Sequence, residues 1–273
     1  MVSSVQNNWG FSTTASSSGA FNMSFDDYIA RQNNTPSFLR FYDWNPYTVS
    51  IGFHQFSNIL NINACSRKNV DVVRRPTGGR AIFHSEELTY CLVLREEDMA
   101  LGEAYIKVHS AIAEGLSKVG VRSELVKTTT DRRDLSPISD KKSCFTASAR
   151  TELEYNGRKI VGSAGKKYEK SLLIHGSILL GNKHKEITEY LNISDDEKQS
   201  MRYELDSKTD NLSDILGRVI TAWELIIPLR ESFSREFQVD ISDQEISEKV
   251  LTIVKDQERN FEIPKILDIE LAL

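Results

Sequence analysis

A cysteine and a lysine stand fifteen positions apart in this chain, in Lys142-Ser143-Cys144-Phe145 and in Asn156-Gly157-Arg158-Lys159-Ile160-Val161-Gly162-Ser163. A thiol is an effective nucleophile only as the thiolate, and a neighbouring ammonium stabilises that charged form. The pair therefore points to covalent acyl chemistry. A free cysteine taken alone reads first as a packing residue. The setting of Cys144 argues otherwise, because Lys141, Lys142, Arg150, Arg158 and Lys159 surround it in sequence. No histidine lies close by, so a Cys-His pair would need His84, His109 or His175 to arrive through the fold. His175, which interrupts an apolar run, reads as a hydrogen-bonded core histidine and is given no catalytic role. Cys65, on an expected short helix, and Cys91, in an apolar strand, read as packing residues.

A second cluster runs from Arg74 to His84, in Arg74-Arg75-Pro76-Thr77-Gly78-Gly79-Arg80-Ala81-Ile82-Phe83-His84. Glycines let backbone N-H groups approach a ligand, and flanking arginines offer charge-assisted donors to a phosphate, a carboxylate or a polarised carbonyl. A basic hairpin turn is the plain alternative. The stretch is no Walker loop, since Gly-Lys-Ser/Thr is missing and a strand is expected after it.

The elements that must position these residues read as follows. Phe21, Phe25, Tyr28 and Ile29 recur at helical spacing, so a helix is expected from near Gly19. Residues 39–42 and 48–51 read as strands joined by a turn at Asn45-Pro46, a hairpin, with a short helix over 57–68. Residues 70–74 and 87–94 read as strands, and Tyr105, Val108, Ile112, Leu116 and Val119 form one stripe of a helix over 102–119. Residues 128–142 read as a surface loop leading to Cys144. Asn156-Gly157 is the strongest hairpin signal in the chain and puts Lys159 just past a turn. Residues 171–180 read as an apolar strand. Leu212, Ile215, Val219, Trp223 and Ile226 share a helix face until Pro228, and a last helix opens with a capping box from Ser242 to Glu245. Segregated strands and helices predict an α+β fold with mixed, largely antiparallel sheets flanked by helices. Residues 1–240 are expected to form the catalytic domain and 241–273 a short helical extension.

The chain of 273 residues has a net charge of -5 and is 40% hydrophobic, enough for a sizeable core. An acidic balance argues against general nucleic-acid binding, and three scattered cysteines suit a reduced, cytoplasmic protein without a metal site. No apolar run is long enough to span a membrane.

The Arg74 to His84 stretch, followed by Glu87-Leu88-Thr89-Tyr90, resembles the signature of the lipoate-protein ligase, biotin-ligase and octanoyltransferase superfamily. Phe21-Asn22-Met23, residues 39–44, Gly157 to Ala164 and His175 to Leu180 extend the resemblance in the family's order. A Cys-Phe pair shortly before the Gly-Arg-Lys strand, an arginine where ATP-using ligases carry a third glycine, and a short C-terminal segment make the chain most similar to the LipM-type octanoyltransferases. The resemblance implies a biotin/lipoate-ligase-like catalytic domain in which Cys144 and Lys159 are catalytic and Arg75, Gly78, Gly79, Arg80, Ala81, His84, Gly162 and Ser163 bind substrate. It implies no cofactor. It further implies an acyl tunnel through the sheet, for which Val73, Ile82, Val161 and Ile174 are candidate lining residues.

On that resemblance, the expected reaction carries an octanoyl group from octanoyl-acyl carrier protein, through a Cys144 thioester, to a lysine of a lipoyl-domain protein such as a glycine-cleavage H-type protein. Residues 140–170 carry a net charge of +4 and residues 236–273 one of -6. Lys166, Lys167 and Lys170 are thus a candidate docking surface for acidic partners. A monomer is the default expectation. Two rivals stand beside this reading: an ATP-dependent lipoate-protein ligase whose residues 75–81 would hold an acyl-adenylate, and a non-catalytic module that binds acyl groups or carrier proteins.

Overall fold

In the computed structural model, residues 8–14, 16–95, 99–127 and 151–264 are described. Cys144, Lys141, Lys142 and Arg150 lie outside them.

The elements in chain order are β1 (Asn8–Thr13), α1 (Gly19–Arg31), β2 (Phe38–Tyr42), β3 (Thr48–Ile51), α2 (Ile62–Arg67), β4 (Asp71–Arg74), β5 (Ile82–His84), β6 (Glu87–Leu94), α3 (Leu101–Lys118) and β7 (Glu124–Lys127). They continue with β8 (Thr151–Tyr155), β9 (Arg158–Lys167), β10 (Leu172–Leu179), a 3-10 segment over Lys183–Tyr190, α4 (Asp195–Lys208), α5 (Leu212–Leu216), α6 (Ala222–Phe237), β11 (Asp240–Asp243) and α7 (Glu248–Gln257). Eight strands make one sheet in the order β11-β1-β2-β6-β10-β9-β8-β7, and three make a second in the order β4-β3-β5. β1 pairs in parallel with both β2 and β11, whereas β2-β6-β10-β9-β8-β7 is antiparallel throughout. The architecture is α+β with mixed, largely antiparallel sheets.

Period-2 alternation sorts the large sheet into two faces. Leu88, Tyr90, Leu92 and Leu94 of β6 and Ile174 and Ile178 of β10 bury against Val108, Ile112 and Leu116 of α3 and Leu225, Leu229 and Phe233 of α6. Cys91, Val93 and Leu173, at the alternate positions, bury instead against Met23 and Phe25 of α1 and Val254 of α7. Gly115 lets α3 and α6 cross closely, since a Cβ there would sit 2.7 Å from Leu229 Cδ2.

Local signals placed many elements. Ser18 caps α1 by accepting from the Phe21 N-H at 3.1 Å, and Asn156 and Gly157 turn the β8-β9 hairpin with φ of 49° and 73°. Four expectations need correction. Residues 39–42 and 48–51 do not form a hairpin: β2 pairs with β1 and β6 while β3 pairs with β4 and β5, so the turn at Asn45-Pro46 passes the chain from one sheet to the other. The helix expected over 57–68 is a 3-10 turn at Ser57–Ile59 followed by α2. The stripe from Leu212 to Ile226 is broken at Gly217, whose φ of 64° ends α5, and α6 starts afresh at Ala222 and accommodates Pro228. Ser242 lies in β11 rather than in a capping box; the last helix is capped by Ser247, which accepts from the Val250 N-H.

Candidate active site

The two sheets meet at a seam, and a narrow cavity lies in it, walled by Trp44, Arg75 and His84 on one side and by Gly162, His175 and Ser177 on the other. Its volume is about 20 Å³, room for roughly one water molecule. Of the four expected tunnel residues Ile82 lines it; Val73 packs in the α1 core, and Val161 and Ile174 pack on the α3 side of the sheet.

The loop between β4 and β5 is built by its own arginine. Arg75 is buried, and its guanidinium donates to Gly78 O from Nε (3.1 Å) and NH2 (2.9 Å), to Arg80 O (2.7 Å) and to the Ser50 hydroxyl (3.1 Å). A rigid fork with five N-H donors suits this task, for which a lysine would not substitute. Arg74 donates to the carbonyls of Gly52 and Phe53, both at 3.1 Å. Gly79 has a φ of 99°, and Gly52 must lack a side chain because a Cβ would fall 1.9 Å from Gly79 O. Gly52→Ala is therefore expected to cost about 1–3 kcal/mol of stability through overpacking, as a lowered urea midpoint. It should also displace residues 78–79 and slow turnover. Ala81 is buried beside this loop, Gly79 is exposed and Arg80 is half-buried.

Two imidazoles stand in the seam, each between a hydroxyl and a carboxylate. His84 Nε2 lies 2.8 Å from Ser50 Oγ and its Nδ1 2.7 Å from Glu87 Oε1, with the ring stacked on Trp44 at 4.0 Å. Thr89 and Ser177 also donate to Glu87 Oε1, each at 2.7 Å. Burial alone would raise the Glu87 pKa, but His84 and these hydroxyls together hold it below the usual value. His175 Nε2 lies 2.7 Å from Thr77 Oγ1 and its Nδ1 3.1 Å from Asp26 Oδ2. Asp26 is fully buried and is further held by Arg40 NH1 (2.9 Å) and by the Tyr42 hydroxyl (2.8 Å). Burial works to raise its pKa; the bond from His175 and the Arg40 charge outweigh burial and keep it ionised.

Lys159 owes its direction to a β-bulge. Leu153 of β8 faces Val161 of β9 and the next residue, Glu154, faces Lys159, so Ile160 is an extra residue in β9. Ile160 and Val161 both turn into the α3 core with Leu153, whereas Lys159 shares the other face with Glu152 and Glu154. Its ammonium pairs with Glu152 Oε1 at 2.6 Å, both side chains being 7% exposed. Ser163, two residues beyond the bulge, lies on the α3 side of the same strand. Its hydroxyl is 2.6 Å from the Tyr90 hydroxyl and 2.8 Å from His109 Nε2, and Gly176 leaves room for Tyr90 to lie across β10. Burial brings the His109 pKa down to about 4, with the Lys159 charge adding to the shift.

Among the residues singled out in sequence, Arg75, His84, Gly162 and Ser163 line the cavity, although the Ser163 hydroxyl turns to the α3 side; Gly78, Gly79, Arg80 and Ala81 belong to the loop that Arg75 holds, and Lys159 is on the strand that carries Gly162. Cys144 lies outside the described residues. Cys65 and Cys91 are buried, and burial pushes the Cys91 thiol pKa well up, which makes it a poor nucleophile. Sequence reasoning passed over Asp26 and Ser50, gave Thr77 no role of its own within the Arg74 to His84 stretch, and read His175 as a hydrogen-bonded core histidine, which its burial and two hydrogen bonds bear out. One signal was available: Asp26 sits three residues after Met23 and four before Ala30, a carboxylate on the buried stripe of a helix.

The chain matches the lipoyl protein ligase A/B catalytic domain over residues 18–234. It is 31% identical over 257 residues to octanoyltransferase LipM of Lysinibacillus sphaericus, covering 90% of this chain and 93% of that one. It is likewise 31% identical over 258 residues to octanoyltransferase LipM of Bacillus subtilis, covering 90% and 92%. Among solved structures, a bi-partite lipoate protein ligase from Thermoplasma acidophilum superposes with a TM-score of 0.74 at 18% identity over 93% of this chain and 92% of that one. Lipoate-protein ligase A bound with ATP superposes at 0.72 with 19% identity, over 93% and 94%. Because the family match spans most of the chain, residues 18–234, the chain belongs to the lipoyl protein ligase A/B catalytic domain family.

Proposed function

We propose that this protein is an octanoyltransferase of lipoate biosynthesis that uses Cys144 as nucleophile and Lys159 as its cationic support. The observation that carries the reading is the match to LipM octanoyltransferases at about 31% identity over nine-tenths of the chain. Lys159, turned by a bulge away from the α3 core, is the feature of the fold that supports it. In the first step the Cys144 thiolate attacks the thioester of octanoyl-acyl carrier protein; a bond forms from Sγ to the acyl carbon and the carrier thiolate leaves. In the second, the neutral amine of a lipoyl-domain lysine, as on a glycine-cleavage H-type protein, attacks that carbon. An amide forms, the Cys144 thiolate leaves, and the amine's proton passes to solvent. Thioester exchange is nearly balanced and amide formation runs downhill, so ATP is unnecessary. Lys166, which lies over the rings of Phe53 (4.9 Å) and Tyr168 (4.8 Å), joins Lys167 and Lys170 as the docking surface for these acidic partners. No helix among the described residues is long and apolar enough to cross a membrane; the reaction is assigned to the cytoplasm on the three scattered cysteines, which suit a reducing compartment.

The test is mass spectrometry after incubation with octanoyl-acyl carrier protein and no ATP. An octanoyl adduct on the wild type that is absent from Cys144→Ser is expected. The second reading, an ATP-dependent lipoate ligase, draws on the likeness to an ATP-bound ligase fold. ATP-dependent activation of lipoate that is indifferent to Cys144→Ser would replace the transferase reading with it.

A further inference from the structure

We propose that Asp26, His175 and Thr77 form a positioning relay that holds the Thr77 to Arg80 backbone as a rack of N-H donors for the acyl carbonyl; this rests on the acyl-transfer reading. The direction of each hydrogen bond follows from proton inventory. An ionised Asp26 can only accept, so the 3.1 Å contact requires a proton on His175 Nδ1. A buried neutral imidazole carries one proton, which leaves Nε2 as a lone pair. The Thr77 hydroxyl must then donate across 2.7 Å. Burial lowers the His175 pKa while Asp26 opposes the shift, and the net effect favours the neutral ring. Asp26 is itself fixed by Arg40, which is fully buried, donates to Asn22 Oδ1 at 2.6 Å, and packs its guanidinium over the rings of Phe25 (4.4 Å) and Tyr42 (3.9 Å).

What the relay anchors is a loop whose carbonyls are tied back. Thr77 O accepts from the Phe53 N-H at 2.8 Å, and Gly78 O and Arg80 O accept from Arg75. Among the described residues, the N-H groups of Gly78, Gly79 and Arg80 form no hydrogen bond. The Cβ position of Gly78 is open and Gly79 adopts a positive φ, so successive N-H groups can converge on one anionic oxygen. Both transfer steps place negative charge on the acyl oxygen, and donors aimed there in advance stabilise the transition state more than the bound substrate. Arg75 secures the far end of the loop. Thr77, through His175, secures the near end to β10, a strand that walls the cavity. His175 and Thr77 touch no reacting atom in this scheme.

Thr77→Val removes the donor and keeps the shape; Thr77→Ser keeps the donor. With octanoyl-acyl carrier protein, Thr77→Val is expected to lower kcat for acyl-enzyme formation by about 10- to 100-fold with KM within about threefold, the scale expected for a small misplacement of catalytic groups. Thr77→Ser should restore most of that loss. Nitrogen NMR of histidine-labelled protein, with His175→Gln to assign the signal, should find His175 neutral with the proton on Nδ1. A proton on Nε2, an unimpaired Thr77→Val, or a loss confined to KM would each overturn the relay. A wild type that never acquires an octanoyl group would remove the transferase reading instead, and the tautomer alone would then decide the relay.

Discussion

Lys159→Met is expected to lower octanoyl transfer by at least about a hundredfold and to destabilise the fold by about 3–5 kcal/mol, the usual range for removing one partner of a buried ion pair. The two effects have separate origins. The Glu152 carboxylate 2.6 Å from the ammonium is as buried as the lysine, so the methionine variant takes away an ammonium that pairs with a charge inside the protein. Glu154 has a pKa already raised, first by burial and then by the Glu152 charge, and the variant removes the cation that offsets both. Adding Glu152→Gln should recover much of the lost stability, since the buried charge that lost this ammonium is itself removed. It should recover none of the activity, because the cation proposed to support the Cys144 thiolate is still missing. Urea unfolding and adduct formation on the single and double variants separate the two. Recovery of transfer in the double variant would mean that Glu152, not Lys159, governs the chemistry.

Acid is expected to unfold this protein well before its carboxylates are all protonated. Burial holds the pKa values of His109 and His184 down to about 4, and that of His175 below its ordinary value. In the unfolded chain these rings titrate near 6.5. Between these values the unfolded state binds protons that the folded state refuses, so stability falls as pH drops from about 6.5 towards about 4. His109 and His184 together should remove roughly 4 kcal/mol by pH 5, at about 1.4 kcal/mol per group and pH unit. The depressed Asp26 and Glu87 act in the same direction at lower pH, while the partly exposed Glu154 and Glu258, raised by burial, oppose weakly. His109 shows why the charged form is refused: its Nδ1 is buried with no hydrogen-bond partner among the described residues, so a second proton would have nowhere to donate. Calorimetry should find Tm lower by about 8–16 °C at pH 5 than at pH 7. A Tm that does not move over that interval would refute the assignment of neutral buried histidines.

Several parts of the site were legible in the residues because their causes are local. The Asn156-Gly157 turn dictated a hairpin, and the two glycines between Arg75 and Arg80 dictated a tight loop. The alternation from Glu87 to Leu94 dictated a strand with two unlike faces. Where a boundary depended on partners, the local signal misled. Residues 39–42 and 48–51 have strand composition and a turn between them, yet which strands they pair with was settled by β6 and β5, far along the chain. Val219 and Trp223 continue a helical stripe in sequence, yet both are largely exposed because Gly217 ends α5 and resets the phase.

Residue type and order by themselves determined the family, the Arg74 to His84 loop, and a lysine just past a hairpin turn. Only the tertiary structure decided what those groups face. Lys159 points away from the α3 core because a single unpaired residue, Ile160, reverses the alternation of β9. His175 is the hydrogen-bonded core histidine that its place in an apolar run suggests, but its partners, Asp26 from α1 and Thr77 from the loop, come from two different elements, each far from it in the chain. A hydrogen bond has a range of about 3 Å and no memory of sequence distance, so such pairings leave no period or motif to read.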